Sequence, residues 1–468
     1  MFDAAMITGL SPILTTDSYK TSHFNQYPAG ATRVSSYIEP RGGRFDEAVF
    51  FGLQAFIKAY MMTPLTMEDV EFAAEFYAAH GVPFYKEGWT QIVLGYGGYL
   101  PVTIEAVPEG TVMGTRNVQV QVTSAPGFAW LTSYVETALL RAIWYPSTVA
   151  SLSREAKGVI YAGLVVTSDD PEGQIAFKLH DFGARGATSS EAAMLGGMGH
   201  LVNFMGTDTV EAALGARRFY NEPMAGFSIP ATEHSTMTSW TRDGEIDAYR
   251  NLLKQYPTGI VACVSDSYDM MNAAANIWGG VLKDEVMARD GTLVVRPDSG
   301  DPTIMPLDVI DVLMSKFGFT VNSKGFKVLP DQVRVIQGDG MNIDTIGTLI
   351  GNAIERGISV DNFAMGMGGG LLQKVDRDTM KYAMKANAIE VGGEWIDVYK
   401  DPITDKGKKS KRGRLALVKR DGEFVTIRKD ELSRGAHGPE KNYLRPVYEN
   451  GHLLVEDTFS AIRERAAI

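Results

Sequence analysis

The chain has 468 residues, 45% of them hydrophobic and 22% charged, with a net charge of -11. That length exceeds one ordinary core and predicts two or three domains, or a barrel with a companion. The acidic balance argues against nonspecific nucleic-acid or anionic-membrane partners, while a locally basic site still admits a small anionic substrate.

Cys263 is the single cysteine, which excludes an intramolecular disulfide framework and a cysteine-based zinc cluster and fits a reducing compartment. The residues up to Ser11 lack the basic start and full apolar stretch of a signal peptide. No apolar run approaches the roughly 20 residues that span a bilayer.

Along the chain, the polar cluster Asp17–His23 follows Ile13-Leu14 and reads as a helix start capped by Asp17 or Ser18. Val34–Glu39 reads as a strand and Phe50–Tyr60 as a helix. Val102–Ala106 and Val118–Val122 alternate with period two around Pro108-Glu109-Gly110, as half-buried antiparallel strands do. The first third is therefore expected to be α+β. One helical stretch is expected up to Tyr145-Pro146 and another from Thr148 to Leu164.

Beyond these, apolar runs recur seven times, each ending in polar or glycine residues. They are Phe177–His180, Leu201–Phe204, Phe227–Ile229, Ile260–Val264, Leu293–Val295, Val333–Ile336 and Phe363–Met365. Strand, loop and helix in repetition predict a parallel α/β barrel or sheet, with the loops after the strands gathered at one mouth. Within this series the stretch Phe227–Met237 is expected to place His234 at a helix N-terminus capped by Ser235 or Thr236, ahead of an amphipathic run from Trp240 to Leu253. The tail reverts to α+β texture. Ile389–Tyr399 looks like a strand, Asp405–Arg414 is a basic run, and Arg414–Val418 and Phe424–Ile427 form a hairpin around Asp421-Gly422.

The expected strand ends are chemically lopsided: His180, Asp181, Arg185, Asp208, His234, Asp266, Arg296, Asp298, Asp339 and the loop Gly368-Gly369-Gly370. Each has a structural explanation as a cap, a turn or an ion-pair member. Together they suit a phosphorylated small molecule. Glycine loops bring backbone N–H groups to phosphate oxygens, arginines donate in pairs, and carboxylates hold Mg²⁺. A P-loop, a dinucleotide fingerprint and a His-Glu-x-x-His motif are all missing from the sequence.

Thr16–Lys20, Lys178–Gly183, Leu201–Phe204, Gly206–Thr209, Glu233–Thr236, Val264–Asp269, Arg296–Gly300, Gln337–Gly340 and Gly368–Lys374 resemble the motifs of the nicotinamide phosphoribosyltransferase family, in order from Thr16 to about Arg414. The resemblance implies an irregular TIM-like α/β barrel of the type II phosphoribosyltransferases, with an α+β companion domain built from the N- and C-terminal segments. The expected boundaries are 1–147, 148–386 and 387–468. It also implies a cytoplasmic homodimer making nicotinamide mononucleotide and pyrophosphate from nicotinamide and phosphoribosyl pyrophosphate in NAD salvage, with ATP and Mg²⁺ and a phosphorylated histidine.

By the same resemblance His234 is that histidine, Asp266 orients it and Asp298 completes the catalytic set. Phe182 stacks on the base and Tyr19 of a second subunit covers its other face. Arg185, Arg296 and Ser228 surround base and phosphates, and Asp208 accepts from the carboxamide. Gly338, Asp339, Gly368, Gly369 and Arg377 serve ribose and phosphate, joined by Lys385, Lys400 and the basic run near Lys408. The residues that hold Mg²⁺ are left open. Ala184 replaces a tyrosine found in some members, and the chain is shorter after Arg41. The alternatives are a nicotinate phosphoribosyltransferase, which Asp208 disfavours by charge, and a non-catalytic nucleotide-binding relative.

Overall fold

The computed structural model describes residues 11–404, 408–432, 434–435 and 438–467. The N-terminal stretch read for a signal peptide, up to residue 10, and 405–407 of the basic run lie outside the described residues. The chain divides into two compact units, one drawn from Met1–Ser151, Gly215–Pro223 and Val375–Ala467, the other from Leu152–Leu214 and Met224–Lys374.

The first unit is built on a seven-stranded antiparallel sheet, in the order Glu394–Asp397, Tyr382–Val391, Ala31–Pro40, Val120–Ser124, Val102–Ala106, Arg445–Glu449 and His452–Leu453. Three strands from the N-terminal part of the chain thus stand together in the middle of the sheet, flanked on each side by two from the C-terminal part. In Val102–Ala106 the residues alternate between buried and half-buried, the period-two pattern of a strand with one face on a core. That core holds Tyr37, Trp89, Ile104, Val122 and Tyr134, each almost fully buried. The hairpin Leu415–Arg420 and Glu423–Arg428 turns at Asp421 (φ 52°) and Gly422 (φ 87°), the pair of left-handed residues that a two-residue turn matching strand twist requires.

The two expected helices around Pro146 are one, Leu131–Thr167, with the proline inside it. A proline removes one helical hydrogen bond, and tertiary contacts compensate here. Ser147 Oγ accepts from the Phe51 N–H and Ser151 Oγ accepts from the Val49 N–H, so this helix face satisfies the backbone that precedes Gly52.

In the second unit six parallel strands form one sheet: β1 (Leu179–Asp181), β2 (Gly206–Thr207), β3 (Val261–Val264), β4 (Leu293–Arg296), β5 (Val333–Gln337) and β6 (Phe363–Met367). Their spatial order is β2-β1-β6-β5-β4-β3. The stretch Phe227–Ala231 bridges β2 in parallel through Gly206 and β3 through Ala262, so it lies between the two outer strands. It is no regular strand as expected, because Pro230 lacks the N–H a ladder needs and contributes only its carbonyl, to the Ala262 N–H. Leu201–Phe204 is likewise not a strand. Leu201 ends the helix Ser190–Leu201, and the strand is the two residues of β2 further on. The run is apolar because Leu201, Val202 and Phe204 are buried beneath that helix end.

Candidate active site

The C-terminal ends of the parallel strands share one edge of the sheet, and the loops leaving it carry the chemistry expected there. After β1, Phe182 donates its N–H to the Met367 carbonyl at 3.0 Å, which sets its ring over the ends of β5 and β6. A Cβ at Gly366 would lie 1.9 Å from Phe182 Cε2, and one at Gly338 would lie 3.0 Å from the same atom. The ring occupies the space those side chains would take. Beneath it Ala262, Val294 and Ile336, with Ile229 and Ala364, make an apolar floor. The Arg296 guanidinium lies 5.6 Å from the ring centroid and donates to Asp298 Oδ1 from both Nε (3.1 Å) and Nη2 (2.9 Å).

One group converges on Asp208, just beyond β2. Its Oδ1 accepts from His180 Nε2 at 2.9 Å and from the Ser228 hydroxyl. Burial works to raise the carboxyl pKa, but these two hydrogen bonds and the charges of His180 and Arg296 outweigh it and hold Asp208 below the ordinary carboxylate range. An ionised acceptor therefore stands beside an aromatic face.

A second group surrounds His234. Its Nε2 lies 2.9 Å from Asp266 Oδ1, the Ser299 hydroxyl donates to Asp266 Oδ2, and Nδ1 lies 3.9 Å from Asp298 Oδ2. The Asp266 carboxylate is 5% exposed and the imidazole 46%, so the acid is hidden behind a ring that faces outward. Burial pushes Asp266 up, and the bonds from Ser299 and His234 bring it below its usual range. With its proton on Nε2 toward Asp266, the ring presents a lone pair at Nδ1. The helix it opens, His234–Thr238, is a single turn with Glu233 at the cap position. The expected cap at Ser235 or Thr236 is therefore displaced. Ser235 instead donates to the Glu233 carboxylate, and the amphipathic run forms a separate helix, Glu245–Gln255.

Gly338, exposed Asp339 and Gly368-Gly369 follow β5 and β6, and exposed Arg185 sits on the turn Ala184–Gly186. Tyr19 and Arg377 belong to the first unit. Tyr19 is 62% exposed on the 3-10 helix Ser18–Asn25, where Asp17 holds the cap position but accepts instead from the Thr137 hydroxyl. The first unit also gathers Lys385 with the charges of Arg41, Lys400 and Arg377. Burial and these cations lower the Lys385 pKa against the pull of Glu136. Arg41 also lines a cleft of about 530 Å³ with Arg116, Lys409, Lys411 and Arg412, where Glu39 pairs with Arg41 and Lys411 and Asp401 with Lys409.

Three contributors escaped the sequence. Ser299 sits in a motif that was recognised, but its bond to Asp266 depends on β3 and β4 being neighbours. Gly366 lies within a strand, where a glycine signals a close approach without saying of what. His180 was among the strand-end residues without a task. Among the described residues no cluster of three or more His, Cys, Asp or Glu side chains is arranged to hold a metal ion.

Residues 177–452 match the nicotinate phosphoribosyltransferase family, and residues 11–104 match the nicotinamide phosphoribosyltransferase N-terminal domain. A nicotinamide phosphoribosyltransferase of Xanthomonas campestris pv. campestris is 51% identical over 459 residues, covering 97% of each chain. The chain belongs to the nicotinamide phosphoribosyltransferase family.

The family's namesake in Acinetobacter baylyi is 31% identical, over 98% of this chain and 97% of that protein. Among solved structures, nicotinate-nucleotide pyrophosphorylase from Pyrococcus furiosus aligns with a TM-score of 0.62 at 16% identity, covering 100% of this chain and 96% of that one. Human nicotinic acid phosphoribosyltransferase aligns with a TM-score of 0.61 at 17% identity, covering 97% and 93%. These two likenesses fix the type II phosphoribosyltransferase fold. As a family member the chain is a transferase, and no helix among its described residues is long and apolar enough to cross a membrane.

Proposed function

We propose that this transferase joins nicotinamide to 5-phosphoribosyl-1-pyrophosphate, giving nicotinamide mononucleotide and pyrophosphate in NAD salvage. The observation that carries the choice of base is the ionised Asp208 beside Phe182. A carboxylate accepts from the N–H groups of a carboxamide and repels the carboxylate of nicotinate. The pyridine nitrogen attacks the anomeric carbon as the bond to the pyrophosphate oxygen breaks, the leaving group taking the electron pair. The ring stacked on Phe182 is aligned for that attack, and the arginines Arg185 and Arg296 stand near the negative charge that develops.

In the ATP-coupled branch, His234 Nδ1 attacks the terminal phosphorus of ATP and ADP departs. Water later cleaves the phosphohistidine to phosphate. Asp266, fixed by Ser299, holds the proton on Nε2 through that exchange. Asp298, whose Oδ2 is left clear of Arg296, and exposed Asp339 on the loop of the neighbouring strand would be the carboxylates to share Mg²⁺ with substrate phosphates, a hard ion that takes few protein oxygens. Bound there, the ion would neutralise diphosphate charge. The exposed ring of Tyr19 suits the base's second face in a partner copy, which makes the working form a homodimer. The free, buried Cys263 fits a cytoplasmic setting.

The test is product formation from phosphoribosyl pyrophosphate and Mg²⁺ with nicotinamide or nicotinate offered separately, with and without ATP. Nicotinamide mononucleotide formed from nicotinamide alone, and faster with ATP, is the expected result. Turnover of nicotinate in its place overturns the role given to Asp208.

A further inference from the structure

His180 is held from three sides. Its ring centroid lies 5.1 Å from that of Phe182 at 50°, a Cβ at Gly206 would approach its Nδ1 to 2.7 Å, and its Nε2 meets Asp208 Oδ1 at 2.9 Å. Its side chain is 14% exposed, against 46% for that of Asp208. The imidazole is thus a wedge between the base-stacking ring and the base-accepting carboxylate. Ser228 donates to the same oxygen, Oδ1. Among the described residues no donor reaches Oδ2. Since the Ser228 hydroxyl gives its proton to Asp208 and not to His180, the trio is no activated serine nucleophile. It is a carboxylate with one oxygen occupied and the other free.

We propose that His180 is the specificity-determining positioning residue of the base pocket: by donating from Nε2 to Oδ1, it fixes the Asp208 carboxylate so that Oδ2 alone faces the pyridine substituent. A substituent that donates, a carboxamide, is accepted there. One that only accepts, a carboxylate, meets a fixed negative oxygen with no donor left to offer, because the His180 and Ser228 hydrogens are already committed. Without His180 the carboxylate turns about its χ2 and the Ser228 hydroxyl is released to donate to substrate. Discrimination then falls even though Asp208 is intact. This rests on the nicotinamide reading above and adds to it a residue that never touches the substituent.

The experiment compares wild type, His180→Leu, which removes the donor, and His180→Gln, whose side-chain N–H reaches to a similar depth. Steady-state kcat and KM are measured for nicotinamide and for nicotinate at saturating phosphoribosyl pyrophosphate. His180→Leu is expected to raise KM for nicotinamide roughly tenfold, the loss of one hydrogen bond to a charged group. It should lower the nicotinamide-to-nicotinate ratio of kcat/KM by a similar factor and leave KM for phosphoribosyl pyrophosphate unchanged, and His180→Gln should recover most of both. Should His180→Leu fold poorly, His180→Asn, polar but too short to reach Oδ1, gives the same readout. An unchanged selectivity ratio in a folded donor-less variant overturns the proposal while leaving the nicotinamide reading in place. So does equal loss in His180→Leu and His180→Gln accompanied by a raised KM for phosphoribosyl pyrophosphate, which marks a packing role. A wild-type enzyme that makes no product from nicotinamide overturns both.

Discussion

Gly366 and Phe182 occupy one space: a single carbon added at Gly366 would fall 1.9 Å from the phenyl edge. The glycine in β6 therefore belongs to the candidate site, though it offers no functional group. Gly366→Ala should push the ring off the floor formed by Ala262, Val294 and Ile336. Overpacking of this kind costs about 1–3 kcal/mol. KM for nicotinamide should rise about tenfold or more, with a smaller change in KM for phosphoribosyl pyrophosphate. Adding Phe182→Leu to that variant should restore thermal stability but not base affinity. Wild-type nicotinamide kinetics in Gly366→Ala would show that the ring has room elsewhere.

Asp208→Asn replaces an ionised acceptor by an amide that also donates. Losing a hydrogen bond to a charged group costs about 1.5–3 kcal/mol, so kcat/KM for nicotinamide should drop roughly 10- to 100-fold. Nicotinate, no longer repelled, should become a measurable substrate. Initial-rate assays with both bases decide it, and a variant that still refuses nicotinate places the discrimination elsewhere.

For His234, the geometry predicts a graded series. His234→Ala should abolish ATP hydrolysis and the incorporation of label from γ-labelled ATP, while basal transfer continues more slowly. Asp266→Asn should retain the ring but lose the acceptor that holds its Nε2 proton, cutting label incorporation strongly. Ser299→Ala, which frees one oxygen of Asp266, should cut it mildly. Wild-type ATP hydrolysis by His234→Ala would remove the phosphohistidine from the scheme.

Tyr19→Ala should weaken nicotinamide binding without altering ATP hydrolysis. Mixing it with His234→Ala should recover activity if Tyr19 serves a partner's site, since some hybrid sites then receive both wild-type residues. No recovery on mixing counts against the shared site.

Acid stability reports on His200, which is fully buried with Nδ1 at Ser153 Oγ and Nε2 at the Gly206 carbonyl, beside the strand that presents Asp208. Burial lowers its pKa from 6.5 to about 4. The unfolded chain binds a proton that the folded one refuses between these values, so this contribution is complete above pH 6.5 and is lost as pH falls toward 4. Urea titrations at pH 7.5 and pH 5 should show a smaller loss in His200→Gln, which cannot titrate. An equal loss in both proteins assigns the acid sensitivity to other groups.

The candidate site is legible in sequence where chemistry repeats at strand ends. His234, Asp266, Asp208 and Arg296 were picked out because each follows an apolar run that becomes, or borders, a parallel strand. The errors arose where local signals were answered by distant atoms. Pro146 reads as a helix break, yet the helix continues through it, and its next turn is tied to distant backbone as Ser147 Oγ accepts from the Phe51 N–H and Ser151 Oγ from the Val49 N–H. The apolar Leu201–Phe204 reads as a strand, but it is buried at a helix end while the two-residue β2 follows it.

By itself the sequence determined the parallel α/β unit, the α+β framing segments and the family, since periodicity, turn residues and collinear motifs are properties of neighbours along the chain. Only the tertiary structure decided which strand ends face each other. The order β2-β1-β6-β5-β4-β3 sets Ser299 on Asp266, His180 on Asp208 and Phe182 on Gly366. A hydrogen bond acts over about 3 Å and a van der Waals contact over about 4 Å, so both depend on coordinates that residue spacing does not contain.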